Sequence, residues 1–405
     1  MTWSKALLPS RHTTEGVANS FHRVFYYAMG LTTEEIHQPH VGVVTAWDDT
    51  VAIHDDVRAV AERVKEQLWG YELTPREFTT IPGFDRESSP SAPLLVSREL
   101  IADSVELTVR GHCYDALVGV GASSIALAGL AMAACRLDVP FVLVPVLEND
   151  DRPGATDAAA TVAALASLGL TAGTGTDAPT ATSVRAVGDE AAAVLADRLR
   201  TGTRPRASVS AAALAVAAGA AAGPASAEAL LHLAAIANEC GVAVDVLSLA
   251  TTTAGQLMPL RGSLAPGGAL AQAPLEVTTV SGPARVTESE EEACALLESG
   301  GLEPGAVLVL RGQGPRGGPG MPSCERLLDL WVAQSSPAQS VALVTDGRAP
   351  ARPGVVTVSA VTPEAATGGP LAGVQDGDRI TIDLAAGTVE TAQGRVGDQR
   401  PHAAA

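Results

Sequence analysis

The chain has 405 residues, of which 45 are acidic and 27 basic, giving a net charge of −18 at neutral pH. This length predicts two domains and supplies enough apolar material for a sizeable core. The negative charge argues against nucleic acids and anionic membranes as partners, because both bind proteins through basic surfaces. We interpret the charge as a solvated acidic surface.

The cysteines indicate a reducing compartment. There are five of them, none forms a CxxC pair, and the odd number does not suit a disulfide framework. We therefore expect a cytoplasmic protein. The N-terminal segment MTWSKALLPSRHTTEG lacks the apolar stretch of a signal peptide. The apolar runs at 116–147 and 210–226 are too interrupted to predict a membrane span.

The first part of the chain predicts alternating strands and helices. Residues 41–47 form a short apolar run typical of a buried strand. Residues 55–68, 97–110 and 226–239 carry apolar side chains at helical spacing. Residues 115–146 predict a strand, a loop, a helix and a second strand, and the continuous apolar runs favour a parallel sheet covered on both faces. This organisation indicates an α/β domain over about residues 1–255.

After about residue 255, glycine and proline become frequent and the apolar runs shorten. The short runs at 306–310, 341–344 and 354–361 predict strands. Apolar side chains alternate at Ile380, Ile382 and Leu384 before a turn at Ala386-Gly387, as in a β-hairpin. We expect a second, mostly β domain over residues 256–405, with a barrel or sandwich core.

The loop between the predicted strand and helix reads Gly121-Ala122-Ser123-Ser124-Ile125. Enzymes of this architecture keep their chemistry in such loops, but this one offers no acid, base or thiol. Ser123 and Ser124 can bind an anion at the helix N-terminus through N–H groups, hydroxyls and the helix dipole. The alternative is that they only cap the helix.

Several collinear segments together resemble the dihydroxy-acid dehydratases and the related sugar-acid dehydratases. The resemblance spans nearly the whole chain, although the chain looks shorter, with a stretch missing between roughly residues 245 and 260. The segments that carry it are EFTTI (77–81), SRELIADSVEL (97–107), DALV with AMAACRLDVP (115–140), ALLHLAAIA (229–237), RGSLAPGGA (261–269), SGPARVTESEEEA (281–293), GPRGGPGM (314–321), VALVTDGR (341–348), TPEAATGGP (362–370) and DGDRITID (376–383).

The resemblance implies an N-terminal α/β domain, a C-terminal β-barrel domain and a homodimer. It also implies an iron–sulfur cluster on three cysteines, a Mg²⁺ ion, and the removal of water from a 2,3-dihydroxy acid. In that reaction the cluster polarises the leaving hydroxyl group and a serine takes the proton from C2.

The positions that match the cluster cysteines are Ile53, Ser123 and Thr156 in this chain. A cluster needs thiolates, so these residues will not hold one. The Mg²⁺ site retains Asp85, whereas the other matching positions are Ser124, Ile125 and Gln313. One carboxylate should bind Mg²⁺ very weakly. The catalytic serine corresponds to the Ala349-Pro350 pair, which supplies no base. We therefore expect neither a cofactor nor a metal.

The residues that remain define a candidate site. His54 follows a vacated cysteine position and is a candidate general base. Asp85 is a candidate acid or base, or part of a solvated loop. Gln313 can donate to an oxyanion or face solvent. Arg348 can bind a carboxylate or form a structural ion pair. Thr156, like Ser123 and Ser124, is a candidate substrate-binding residue.

Other motifs carry less weight. His37 and His40 are three residues apart but have no acidic cluster beside them, so metal binding there is not expected. His232 lies in an apolar helix and is interpreted as a satisfied core residue. The glycines of GPRGGPGM lack a Walker-type lysine and do not indicate nucleotide binding.

Two functions remain open. The first is a repurposed, cluster-free enzyme, lyase or isomerase, that acts on a small polar carboxylic acid in specialised metabolism. The second is a catalytically inactive paralogue that binds a ligand or a partner, for example a true dehydratase subunit. In both cases we expect a homodimer and no nucleic-acid or membrane partner.

Overall fold

The computed structural model describes residues 4–49, 53–82, 95–147, 155–172, 181–221, 227–253, 257–318, 320–334 and 341–392. They form two compact units. The first contains the described residues up to 82, residues 97–221 and residues 232–244. The second contains residues 95–96, 227–231 and the described residues from 245 onward.

Both units contain helices and strands. The helices are α1 Arg11–Thr14, α2 Ser20–Ala28, α3 Thr33–His37, α4 Ile53–Gly70, α5 Ser97–His112, α6 Ser124–Leu137, α7 Ala155–Ser167, α8 Ala181–Thr201, α9 Pro205–Ser208, α10 Ala211–Ala220, α11 Ala227–Glu239, α12 Val246–Ala250, α13 Glu290–Glu298 and α14 Glu325–Gln334. The strands are β1 His40–Ala46, β2 Thr74–Thr80, β3 Ala116–Gly121, β4 Phe141–Pro145, β5 Met258–Leu260, β6 Gly268–Gln272, β7 Thr279–Thr287, β8 Val307–Leu310, β9 Val341–Thr345, β10 Val355–Thr362, β11 Arg379–Asp383 and β12 Thr388–Thr391.

The first unit is built on a four-stranded parallel sheet in the order β2-β1-β3-β4. β1, β3 and β4 are completely buried, as their continuous apolar sequences predicted. Helices α4 and α8 cover one face, where Val57, Val64 and Leu195 join the core formed by the strands. The predicted α/β architecture with flanking helices is therefore confirmed.

Helix α6 crosses α5 at Gly129. A Cβ atom at this position would lie 2.8 Å from Cβ of Ile101 and 2.9 Å from the carbonyl oxygen of Arg98. Only glycine lets the two backbones approach this closely. The contact fixes the helix that follows the loop at Ser123 and Ser124.

A buried carboxylate anchors the N-terminal segment. Asp115, directly before β3, accepts hydrogen bonds from N–H of Ser10 (2.8 Å), from the Ser10 hydroxyl (2.5 Å) and from N–H of His40 (2.7 Å). Burial raises the pKa of Asp115. His40 is itself fully buried, its Nε2 lies 3.2 Å from the carbonyl oxygen of Ile36, and burial lowers its pKa to about 3. His40 therefore belongs to the core.

The second unit is built on an eight-stranded mixed sheet in the order β12-β11-β7-β8-β9-β10-β6-β5. A bridge between Arg261 and Thr388 joins the ends of this order, so the sheet curls into a nearly closed barrel. A barrel or a sandwich core was predicted for the second domain, and the structure shows the barrel. Its interior is lined by apolar side chains that include Val280, Val307, Val309, Val344, Val356, Val358, Ile380, Ile382 and Val389.

The predicted hairpin is also confirmed. β11 and β12 pair antiparallel with Ile382 opposite Val389, and Gly387 in the turn has a φ of 68°. Within the described ranges, no helix combines the length and the apolar character needed to cross a membrane.

We predict that Gly129→Ala destabilises the protein by about 1–3 kcal/mol, because the added methyl group overlaps Ile101 and the backbone of α5. Urea unfolding of both proteins measures the difference. Gly111→Ala is the matched control, since an added Cβ there meets no atom within 4 Å. Equal stability of Gly129→Ala and wild type would show that the two helices separate without cost.

Candidate functional site

The loop after β3 lies at the carboxyl end of a buried strand, where α/β enzymes bind ligands. The Ser123 hydroxyl accepts a hydrogen bond from N–H of Ala126 (3.2 Å) and is the N-cap of α6. Ser124 is the first residue of that helix. The Ser123 hydroxyl is thus engaged in capping, which is one of the two roles predicted for it.

The first unit also contains a pair of basic side chains, one partly buried and the other fully buried. Nη1 of Arg98, in the first turn of α5, donates to Nδ1 of His232 on α11 at 3.0 Å. His232 is 1% exposed, and its pKa lies well below the ordinary value because it is buried and faces Arg98. That bond satisfies Nδ1 of a neutral histidine, and the burial of His232 agrees with its interpretation as a core residue.

In the second unit, the predicted site residues lie on loops that follow adjacent parallel strands. Gln313 follows β8, and Arg348 follows β9. Asp346, on the same loop as Arg348, is 1% exposed and joins these loops. Its carboxylate accepts from N–H of Gly312 (3.1 Å), Gln313 (2.8 Å) and Ala365 (2.8 Å). Two segments of backbone, the loop after β8 and the segment after β10, therefore converge on one carboxylate.

Gln313 is 6% exposed, so it does not face solvent. Its side-chain nitrogen donates to the carbonyl oxygens of Glu288 (2.9 Å) and Arg311 (3.2 Å). Both amide hydrogens are therefore engaged by backbone carbonyls. In this arrangement Gln313 fixes the loop conformation and has no hydrogen left for an oxyanion.

Arg348 is buried and forms an ion pair with Glu228. Its Nε donates to the carbonyl oxygen of Met321 at 2.7 Å. The ion pair neutralises the charge that would attract a substrate carboxylate. Of the two roles predicted for Arg348, the structure shows the ion pair.

The glycine-rich loop that contains residues 314–318 packs against a further buried acid. Glu364, 8% exposed, accepts from N–H of Arg316 with both carboxylate oxygens (3.2 and 3.1 Å). A Cβ atom at Gly314 would come within 1.8 Å of Glu364 Oε2, so the loop reaches this carboxylate only because position 314 has no side chain. Glycine at position 314 therefore allows the loop backbone to pack closely against the Glu364 carboxylate.

The structure brings some predicted site residues together. Gln313 and Arg348 lie around Asp346 in the second unit, and Ser123 and Ser124 share a loop in the first unit. Asp85 and the side chains of His54 and Thr156 lie outside the described residues, so their roles stay predictions. Of the described residues, no three among His, Cys, Asp and Glu gather to hold a metal ion.

Three buried acids were not predicted as site residues: Asp346, Glu364 and Glu228. The first two lie in the segments TDGR and TPEAATGGP, which carry the family resemblance. An acidic residue in a glycine-rich loop after a buried strand was the available signal. Glu228 lies 120 residues from its partner Arg348, and nothing local in the sequence indicates that pairing.

Two family models match the chain. The model described as dihydroxy-acid/6-phosphogluconate dehydratase N-terminal matches residues 38–148, and its C-terminal counterpart matches residues 243–400. The dihydroxy-acid dehydratase 2 of Mesorhizobium japonicum is 32% identical over 96% of this chain and 88% of its own length. The chain belongs to the dihydroxy-acid/6-phosphogluconate dehydratase family. The family resemblance read from the sequence is therefore confirmed.

Other relatives agree. The dihydroxy-acid dehydratase of Dinoroseobacter shibae is 32% identical over 96% of this chain and 90% of its own length. The dihydroxy-acid dehydratase of Pyrococcus furiosus is 29% identical over 91% of this chain and 90% of its own length. The alignment with the Mesorhizobium protein spans 517 positions, more than the 405 residues of this chain. The chain is thus shorter than this relative inside the aligned region, while the place of the missing stretch stays a prediction.

We predict that Asp346→Asn destabilises the protein by about 2–4 kcal/mol. The amide keeps one acceptor oxygen but turns an NH₂ group toward backbone N–H groups that need an acceptor. Denaturant unfolding measures the loss. Asp383→Asn is the control: Asp383 accepts from a single N–H, that of Ala386, and we expect its loss to cost less than about 1 kcal/mol. Equal effects of the two substitutions would contradict the role of Asp346.

Proposed function

We propose that the protein is a lyase-type enzyme of the dehydratase fold that acts on a small polar carboxylic acid without an iron–sulfur cluster. The observation that carries the proposal is the residue at position 123. The family resemblance implies a cluster cysteine there, whereas this chain has a serine whose hydroxyl caps α6. A capping hydroxyl has a role in the fold and is no substitute for a thiolate ligand.

The chemistry of the available donors supports the same conclusion. The other two positions implied for the cluster are Ile53 and Thr156. The five cysteines lie elsewhere: Cys294 and Cys324 are in an apolar core of the second unit, and Cys113, Cys135 and Cys240 follow or end helices of the first. The residues at the implied positions therefore do not fit an iron–sulfur cluster, and the proposed reaction uses none.

The acid–base chemistry in this proposal comes from side chains of the chain itself. Elimination of water from a hydroxy acid needs a base at the carbon next to the carboxylate and an acid at the leaving hydroxyl group. His54 is the candidate base and Asp85 the candidate acid. Ser123, Ser124 and Thr156, each in the first turn of a helix or just before it, would orient the substrate carboxylate.

A second candidate function is a catalytically inactive subunit that binds a ligand or a partner. The contacts of Gln313 and Arg348 favour it, since a backbone carbonyl pair and Glu228 already engage them. Helix α2 offers a surface for assembly: Phe21 and Phe25 are 68% and 53% exposed. A homodimer, or a complex with an intact dehydratase paralogue, would cover such a face.

The purified protein should contain no iron and no acid-labile sulfide, because the implied ligand positions carry no thiol. Anaerobic reconstitution with iron and sulfide, followed by metal analysis and an absorption spectrum, measures this. The dihydroxy-acid dehydratase of Dinoroseobacter shibae, treated in parallel, controls for the reconstitution. About two irons per chain with a visible charge-transfer band would refute the cluster-free proposal.

The chain should not convert dihydroxyisovalerate to the keto acid. The position implied for the base is Pro350, and proline accepts no proton. The measurement is growth of a strain that lacks its own dihydroxy-acid dehydratase, without branched-chain amino acids and with this gene on a plasmid. The Dinoroseobacter gene should restore growth in the same vector. Growth with this chain would mean that the ordinary dehydration survives.

A small carboxylic or phosphorylated acid that binds at Ser123 and Ser124 should raise the melting temperature. Saturation at a hundred times the dissociation constant stabilises by roughly 2.7 kcal/mol. Ser124→Asp should abolish this shift, because its charge repels the anion, while the unliganded fold loses little stability. A thermal-shift screen of small acids on both proteins is the measurement.

The matched control for that screen is Ser210→Asp, which places the same charge at the start of α10 in the same unit. It should leave the ligand shift unchanged. Acids that stabilise wild type and Ser124→Asp equally bind elsewhere, and that result would favour the inactive-subunit function.

A further inference from the structure

Helix α2 exposes an aromatic face. None of its nine residues is buried. The chain has 5 Phe, 4 Trp and 4 Tyr, and four of these aromatic residues lie on α2: Phe21, Phe25, Tyr26 and Tyr27. The rings of Phe21 and Phe25 meet edge to face at the exposed surface, with 4.9 Å between their centroids. A helix this short is marginal in water without tertiary packing, so we expect a partner surface over this face.

The orientation of α2 is fixed from its other side. Arg23 donates to the carbonyl oxygens of Thr14 and Gly16 at 2.8 and 2.7 Å. The ring of Tyr26 meets the buried ring of His40 edge to face, with 5.2 Å between their centroids. Arg23 and Tyr26 are three residues apart and lie on the side of the helix opposite to the two phenylalanines. The aromatic face is therefore turned away from the core by defined contacts.

The N-terminal segment that carries α2 is basic in an acidic chain. Residues 4–30 contain Lys5, Arg11 and Arg23 but only one acid, Glu15, whereas the whole chain has a net charge of −18. Among the residues that the structure describes, neither Arg11 nor Arg23 pairs with a carboxylate, and both donate to backbone carbonyl oxygens. The surface around α2 therefore suits a partner surface that is both apolar and negative.

The first unit carries a surface of that kind on α5. Leu100 and Leu107 lie two turns apart on one side of the helix and are 57% and 73% exposed. Asp103, which is also exposed, lies between them, and Glu99 and Glu106 flank them. This leucine stripe is aliphatic and bordered by carboxylates.

Basic side chains offset only part of the charge of the stripe. Arg136 on α6 donates to Asp103 and, at 3.0 Å, to Glu99. Arg110 donates to Glu106 at 2.8 Å. Two arginines thus face three acids of α5, and Arg136 also binds a further acid at the end of α11. The stripe therefore keeps a net negative charge.

Both faces belong to the first unit and are joined through one anchor. Asp115, three residues after the end of α5, accepts from N–H of Ser10 at 2.8 Å and from N–H of His40 at 2.7 Å. The segment that carries α2 is thereby tied to the chain beside the end of α5. Two copies related by a two-fold axis can therefore make one contact twice, α2 of each copy on α5 of the other.

We propose that the first unit binds a second copy of this chain, with the aromatic face of α2 (Phe21, Val24 and Phe25) packed on the leucine stripe of α5 (Leu100 and Leu107) in the other copy. This pairing sets the basic segment against the acids of α5, whereas packing α2 on α2 would bring like charges together. The net charge of −18 disfavours anionic lipid, the other partner that suits an aromatic and basic helix. The inference does not depend on the proposed function, because none of these residues belongs to the candidate site.

The experiment measures the mass of the full-length protein by sedimentation velocity between about 1 and 50 µM. We expect wild type to be a dimer at the upper concentrations. Phe25→Asp and Leu107→Lys each place a repelling charge in both copies of the contact, and each should raise the dimer dissociation constant by roughly a hundredfold or more. Both side chains are exposed in the single chain, so the circular dichroism spectrum should stay that of wild type.

Mixing the two variants identifies which faces meet. In the mixed dimer one contact pairs the two opposite introduced charges, and the other contact is wild type in sequence. The mixture should therefore recover the dimer that neither variant forms alone. Val216→Asp charges a similarly exposed position on α10 of the same unit, so it is the matched control and should leave the dimer intact.

Several outcomes would overturn the proposal. A wild-type monomer over the whole concentration range would do so, and so would a dimer that survives Phe25→Asp. Loss of the dimer in Phe25→Asp but not in Leu107→Lys, or a mixture that stays monomeric, would place a surface other than α5 against α2. Co-sedimentation with phosphatidylglycerol vesicles tests the lipid alternative. We expect wild type to stay in the supernatant, and binding that Phe25→Asp abolishes would assign α2 to a membrane instead.

Discussion

The carboxylate of Asp346 is the interaction on which the second unit's candidate site depends. It follows β9 and accepts backbone N–H groups from the loop after β8 and from the segment after β10. A buried charge of this kind is tolerated only when several donors surround it. Backbone donors supply that environment here, so Asp346 sets the loop conformation at the strand ends.

This arrangement positions the neighbouring residues Gln313 and Arg348. The backbone N–H of Gln313 donates to Asp346, which positions the residue. The side-chain nitrogen of Gln313 then donates to two backbone carbonyl oxygens. Arg348 lies two residues from Asp346 and faces Glu228. Each side chain satisfies a buried polar group whose loss would cost more than the bond itself contributes. Such contacts stabilise the loop conformation at the strand ends.

The fold was largely predictable from the sequence, because its strands and helices are marked by local patterns. The continuous apolar runs gave β3 and β4, and alternation at Ile380 and Ile382 gave the hairpin. Strand β2 was missed: its sequence TPREFTT is polar and includes a proline, which an edge strand tolerates.

The site was less predictable than the fold. Residue type predicted two roles each for Gln313 and Arg348, and only the partners of their side chains decide between those roles. Tertiary packing brings those partners near: they are Glu288, Met321 and Glu228. They are too far away along the chain for a periodic sequence pattern to predict the contacts. Residue type therefore predicted which donor groups Gln313 and Arg348 offer. The fold determined that buried groups of the protein accept the hydrogen bonds of those donors.

The loop after β3 shows how the start of α6 is stabilised by groups of the protein itself. The family resemblance implies a cysteine at position 123, and serine occupies it here. Serine is among the best N-cap residues, and its hydroxyl satisfies the N–H group of Ala126 without any metal. The close contact of Gly129 with α5 holds α6 independently of that loop. The start of α6 is therefore held by a side-chain cap and by close packing against α5, and both contacts are made by the chain alone.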